Sequence, residues 1–230
     1  MKAQVLDGIR YEPDVRSLFA LLRVDEGSDD GETLKALAAE AANLGRPKAL
    51  YGEAYIDSKG DDSVVIDGVT FTSRVLRVNL EAAHRVFPCV ATCGRELEDW
   101  AKGLSDMLCR YWADGIMQMA LSQATAGVNR QIAAEFVPGR TAVMNPGSLP
   151  DWPIEEQRPL FTLLGDPQAS IGVTLTESML MIPAKSVSGM HFPAQYDYEN
   201  CQLCGREVCS GRRAPYDKAL YEERYRARRE

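Results

Sequence analysis

Near the start of the chain apolar residues recur at helical spacing in two runs, Val15, Leu18, Phe19, Leu21 and Leu22, then Leu34, Leu37, Ala38, Ala41 and Ala42. Apolar positions three and four apart line one face of a helix, so the runs predict two helices, with an acidic loop from Asp25 to Glu32 between them. From Lys48 to Leu80 the pattern shortens to the alternation of half-buried strands: residues 49–51, 63–66, 69–72 and 75–78 read as strands, with Asp67-Gly68 as a turn, an antiparallel meander. Residues 87–92 read as a further strand ending in Cys93-Gly94, and Glu96 to Glu135 as a long helical stretch with a break near Gly103. Its small residues Gly115, Ala120, Ala124 and Gly127 suit close packing in a core. Residues 143–147 follow, then a short amphipathic helix around 154–164 that ends at Gly165-Asp166-Pro167, and a strand pair centred on 171–174 and 180–183. Strands and helices come in blocks rather than in strict alternation, which favours an α+β fold over a doubly wound parallel sheet.

Composition narrows the classes. A chain of 230 residues, 45% hydrophobic, is long enough to bury about 70% of its unfolded surface. Its net charge of −7 provides no basic footprint for phosphates, so nucleic acid is not an expected partner. Asp7 and Gly8 interrupt the place where an export signal needs an apolar core, which predicts a cytoplasmic protein. The most apolar run, 171–182, contains Glu177 and falls short of the ~20 residues of a membrane span. Charge is uneven: residues 201–230 hold eight basic against five acidic residues, which reads as a basic, solvated C-terminal helix or as a flap for an acidic partner.

Three of the six cysteines, Cys201, Cys204 and Cys209, fall within nine positions, with Gly205 and Gly211 to allow tight folding and Arg206, Arg212 and Arg213 to offset thiolate charge. Soft ligands so spaced point to a metal, with the fourth position either open or filled from elsewhere, by Cys93, Cys89 or His191. Cys93 is favoured because it stands at a strand-to-helix turn. An iron-sulfur cluster, zinc and no stable metal all remain open. Cys89 and Cys109 read as small buried hydrophobes.

The ordered stretch Asn145-Pro146-Gly147-Ser148-Leu149-Pro150-Asp151-Trp152-Pro153, Glu155-Glu156-Gln157, residues 160–164, 171–178 and 181–189 resembles the activation domain of vitamin B12-dependent methionine synthase. The segment from Ala91 to Glu98 before the long helix is also similar to that family, so the resemblance extends over residues 1–195, with 196–230 as a Cys-rich metal-binding segment and basic C-terminal helix.

The resemblance implies an α+β fold with a central antiparallel sheet flanked by helices. It implies binding of S-adenosylmethionine and contact with the cobalamin of a corrinoid-binding methyltransferase, where inactive cob(II)alamin is reduced by one electron and remethylated. Such a cofactor needs a carboxylate for its ammonium, a cation or backbone amides for its carboxylate, and close backbone approach around its adenosine. Gly147, Asp151, Glu177, Lys185, Ser186, Ser188, Gly189 and Tyr198 are the candidates. The family usually has an arginine four residues before the glycine and a tyrosine just after it; here Val143 and Ser148 stand there, with Arg140 nearby. Its downstream tyrosine pair corresponds loosely to Tyr196 and Tyr198.

The chain contains no Asp-x-His-x-x-Gly corrinoid motif, so the expected role is that of an accessory component: a reactivation protein acting on a separate corrinoid protein, with a possible electron donor. The alternatives are a docking or redox-sensing module without S-adenosylmethionine, and an iron-sulfur electron carrier. For each polar candidate the competing reading is structural: loop glycines at 147 and 189, a helix cap at Asp151, a hairpin surface residue at Glu177.

Overall fold

The computed structural model of the chain describes residues 1–136, 139–194, 198–209 and 211–226. The elements, in order, are β1 (Lys2–Leu6), α1 (Val15–Leu22), α2 (Asp29–Leu44), β2 (Lys48–Lys59), β3 (Ser63–Ile66), β4 (Val69–Thr72), α3 (Arg74–Asn79), β5 (Arg85–Thr92), α4 (Arg95–Gly103) and α5 (Met107–Glu135). Then come β6 (Thr141–Met144), a 3-10 turn (Ile154–Glu156), α6 (Gln157–Leu164), α7 (Pro167–Ile171), β7 (Thr174–Leu175), β8 (Met181–Ile182), β9 (Ser186–Pro193), α8 (Asn200–Leu203), α9 (Lys218–Leu220) and a π-turn (Tyr221–Tyr225).

Side-chain caps set most helix starts. Asp14 accepts from the Ser17 amide, Asp106 from Cys109, and Asp166 from Ala169 with Pro167 in the first turn. Ser28 caps α2, so the helix begins inside the stretch expected as an acidic loop. The expected strand at 75–78 is helix α3. Its short apolar run fits either period, and the decision falls to caps: Ser73 Oγ accepts from the Leu76 amide and Asp151 Oδ2 from the Val75 amide at 2.9 Å. The strand pair expected at 171–174 and 180–183 is a two-residue ladder, β7–β8, because Asp166 and Pro167 turn residues 167–171 into a helix.

The main sheet is antiparallel, in the order β4-β3-β2-β5-β9-β6, with β1 also on β2. β2 to β4 form the expected meander, while β5 returns along the other edge of β2 and pairs β9, so that Cys89 faces Gly189 and Thr92 faces Ser186.

Both faces of the sheet are covered. Alternation along β5 sends Phe87, Cys89 and Ala91 into one core with α1, α2, α4 and α5, and Val86 and Val90 into a second core with α3, α6 and α7. The C-terminal segment closes this second core: Tyr198 and Tyr225 are buried in it, and Leu203, Cys204 and Leu220 pack against it. Among the described residues no helix is long and apolar enough to cross a membrane.

Candidate cofactor site at the Asn145 turn

After Met144 the chain reverses. The Ser148 amide donates to Asn145 O at 3.1 Å and the Gly147 amide to Trp152 O at 2.8 Å, over the fully buried ring of Trp152. Gly147 has φ +82°, a conformation that strains an L side chain, and a Cβ there would meet Ile154 Cδ1 at 2.6 Å, so the isoleucine would have to shift.

Asn145 ties this turn to β9 and the C-terminal segment. Its Nδ2 donates to Ser188 O at 2.8 Å, its Oδ1 accepts from Asn200 Nδ2 at 3.1 Å, and Tyr198 Oη donates to Asn200 Oδ1 at 3.0 Å. A Cβ on Gly189 would sit 2.7 Å from Asn145 Nδ2, so Gly189 lets the amide approach the strand. The structure therefore gathers Gly147, Ser188, Gly189 and Tyr198 around Asn145. Sequence reasoning passed over Asn145 and Asn200 as ligating groups, since an asparagine in a turn gives no signal of a distant partner.

Asp151 Oδ2 accepts from Ser73 Oγ and from the Val75 amide, so the residue caps α3, a role anticipated for it, though on a helix 76 positions away. The remaining candidates lie elsewhere. Glu177 is exposed on the β7–β8 hairpin, where its carbonyl accepts from Arg158. Lys185 Nζ is ion-paired with Asp114 Oδ2 at 2.9 Å. Ser186 Oγ donates to Pro183 O at 2.7 Å and lies 2.9 Å from Thr92 Oγ1. Tyr196 lies outside the described residues.

Beside Asp151 opens a cleft of 630 Å³. Val75, Leu149, Pro150 and Asp151 line one side, and Leu203 with residues of the C-terminal segment between Tyr216 and Glu222 the other. Its size falls in the range of small-molecule sites.

The cysteine triplet surrounds a loop held by Arg212, whose guanidinium donates to the carbonyls of Cys201 at 3.1 Å and Cys204 at 3.3 Å and also to that of Arg206. Cys201 Sγ accepts from the Arg213 amide at 3.4 Å, and this contact chiefly holds its thiol below the ordinary value. The expected fourth ligand does not join the triplet. Cys93 and Cys89 belong to the core on the α5 face, and His191 pairs Phe87, a residue of that same core. Cys204 packs against the opposite core. Burial pushes Cys89 and Cys93 up to about 12, with the Glu98 carboxylate adding to the rise at Cys93, and His191 down to about 4. Among the described residues no three His, Cys, Asp or Glu side chains are grouped as a metal would need. The donor set thus does not fit the four-ligand site expected from spacing.

Comparison with known proteins agrees with the sequence resemblance. The sequence model of the vitamin B12 dependent methionine synthase activation domain matches residues 124–209, from within α5 through the Asn145 turn and β9 to Cys209. The crystal structure of the MetH reactivation domain bound to AdoHcy superposes with a TM-score of 0.60 at 16% identity, over 86% of this chain and 81% of that one. No curated protein sequence matches. The chain carries the fold of that reactivation domain, and its residues 124–209 carry the sequence pattern of the vitamin B12-dependent methionine synthase activation domain.

Proposed function

We propose that the protein binds S-adenosylmethionine beside the Asn145 turn and delivers its methyl group to a cobalamin carried outside these 230 residues, on a corrinoid-binding methyltransferase, returning the inactive cofactor to its methylated form. The observation that carries this reading is the family match over 124–209, which falls on the segment that builds the Asn145 turn and contributes Leu149, Pro150, Asp151 and Leu203 to the adjoining cleft.

The residues present suit such a ligand. Asp151 spends Oδ2 on the α3 cap, and its other oxygen takes no protein partner among the described residues, so it can receive an ammonium. Gly147 permits the tight turn that leads into the cleft wall, Gly189 lets Asn145 approach β9, and Leu149, Pro150 and Val75 provide an apolar floor. The methyl donor supplies an electrophilic methyl on a positively charged sulfur; one electron from a donor outside the chain makes the corrinoid nucleophilic, and S-adenosylhomocysteine is left. The protein's part is to hold the donor in a fixed orientation at an open cleft, so that methyl transfer does not wait on a chance encounter. No step passes through the cysteine triplet.

The test is equilibrium dialysis with labelled S-adenosylmethionine, followed by transfer of the labelled methyl to cob(II)alamin on a partner methyltransferase in the presence of a one-electron reductant. Saturable binding with transfer that depends on this protein supports the reading. Absence of binding overturns it and leaves the docking module suggested by Val143 and Ser148.

A further inference from the structure

The Asn145 turn lacks two things that a sulfonium amino acid needs. Val143 and Ser148 provide neither a cation nor a ring, and Lys185, the cation expected to meet the ligand's carboxylate, is already paired with Asp114. The far wall of the cleft has both. Lys218 reaches the cleft, is exposed and has no ion pair among the described residues. Tyr216 and Tyr221, which also line it, are 50% and 40% exposed, high values for rings in a segment otherwise anchored to the core. On the same wall Asp217 uses Oδ1 to cap α9, and its second oxygen takes no protein partner among the described residues, whereas Glu222 is paired with Arg226. The uncommitted negative charge of the cleft therefore sits on Asp151 and Asp217.

The wall is built into the fold. Tyr225 is fully buried, its Oη donates to Asn79 Oδ1 at 2.8 Å, and its carbonyl accepts from Arg74 Nε at 3.1 Å. At the other end the Asp217 amide donates to Gln202 O at 2.8 Å. Residues 216–222 are thus fixed at both ends, and they lie beyond the segment matched by the family model.

We propose that the C-terminal segment completes the S-adenosylmethionine site, with Lys218 receiving the carboxylate, Asp151 and Asp217 the ammonium, and the faces of Tyr216 and Tyr221 the sulfonium and the flat base. The proposal rests on the cofactor reading above and adds to it where the ligand's polar end lies and which chain segment selects it. A positive centre over a tyrosine face and a carboxylate against a lysine are both favourable pairings, and a cleft partly closed from water strengthens them.

The experiment is calorimetric titration of the full chain with S-adenosylmethionine and with its decarboxylated analogue, for the wild type, Lys218→Ala, Tyr221→Leu and Tyr221→Phe, with melting temperatures to confirm folding. Lys218→Ala should weaken S-adenosylmethionine about three- to tenfold and leave the decarboxylated analogue unchanged. Tyr221→Leu should weaken both ligands about three- to fivefold, and Tyr221→Phe, which keeps the ring, should bind as the wild type does. If the wild type binds but Lys218→Ala and Tyr221→Leu bind equally well, the C-terminal site is refuted while the cofactor reading stands. If the wild type binds neither ligand, the cofactor reading itself fails and this proposal with it.

Discussion

Tyr225 is the residue on which the C-terminal wall depends, and its replacement by alanine has a calculable consequence. The ring is fully buried in the core formed by α3, α6 and the sheet, and its hydroxyl donates to Asn79 at 2.8 Å. Truncating a buried aromatic side chain costs about 3–5 kcal/mol, and the lost hydrogen bond adds about 1 kcal/mol. Of the residues between Gly211 and Arg226, Tyr225 alone is buried and most are exposed, so its ring is the main apolar anchor of the segment, beside Leu220 and the hydrogen bonds to Gln202 and Arg74. With that anchor removed, the segment should undock locally before the sheet unfolds. Hydrogen exchange read by mass spectrometry should therefore show residues 214–226 of Tyr225→Ala losing protection, while β2, β5 and β9 keep theirs. Tyr225→Phe keeps the ring, loses about 1 kcal/mol and should keep the segment docked. A Tyr225→Ala protein whose C-terminal amides stay as protected as the wild type's would refute both the anchoring role and the cleft wall that relies on it.

Three further outcomes are expected. Gly147→Ala should cost about 1–2 kcal/mol by urea denaturation, since φ +82° disfavours an L side chain, and shortening Ile154 in the same protein should recover only the part due to the 2.6 Å contact. Any iron or zinc found after anaerobic purification should persist in Cys93→Ala and be lost in Cys201→Ala, because the sheet separates Cys93 from the triplet; metal loss in Cys93→Ala refutes that separation. His191, neutral and buried with its pKa near 4 against 6.5 in the unfolded chain, leaves stability undiminished above pH 6.5 and withdraws about 3 kcal/mol as pH falls from 6.5 to 4, where the unfolded state takes the proton first. A His191→Leu protein should show a flatter pH profile of urea midpoints over that window, and an identical profile would rule His191 out as the cause.

The parts of the fold legible in the sequence were those whose signal is local. The helices at 15–22 and 107–135, the Asp67-Gly68 hairpin and the β5 strand follow from periodicity and turn chemistry alone. Residues 75–78 misled because Val75, Leu76 and Val78 fit a strand as well as a helix, and the deciding cap, Asp151, comes from a loop 76 positions later. β9 is hard to see for a related reason: Ser186, Ser188 and Gly189 are poor strand formers, yet they pair along β5 while residues 190–193 pair β6 as well, and this pairing overrides their propensity.

The same physics separates the candidate site from the cysteines. Glycine at 147 could be read from the motif because its demand is local, a left-handed turn, whereas the helix that Asp151 caps lies 76 positions earlier. The fourth metal ligand could not, because it depends on which face of a sheet each side chain takes. Strand period two places Cys89 on the face of Phe87, and pairing across the ladder sets His191 opposite Phe87, so both join the α5 layer whatever their chemistry. Cys93, one residue past the end of β5, enters that layer too. The C-terminal segment, drawn to the other face by Tyr198, Leu203 and Tyr225, carries Cys204 to the core opposite theirs, and the same docking brings Tyr216, Lys218 and Tyr221 to the cleft beside Asp151. One packing choice, made by three largely apolar side chains, thus takes Cys204 away from the expected fourth ligands and forms the half-open cleft beside Asp151.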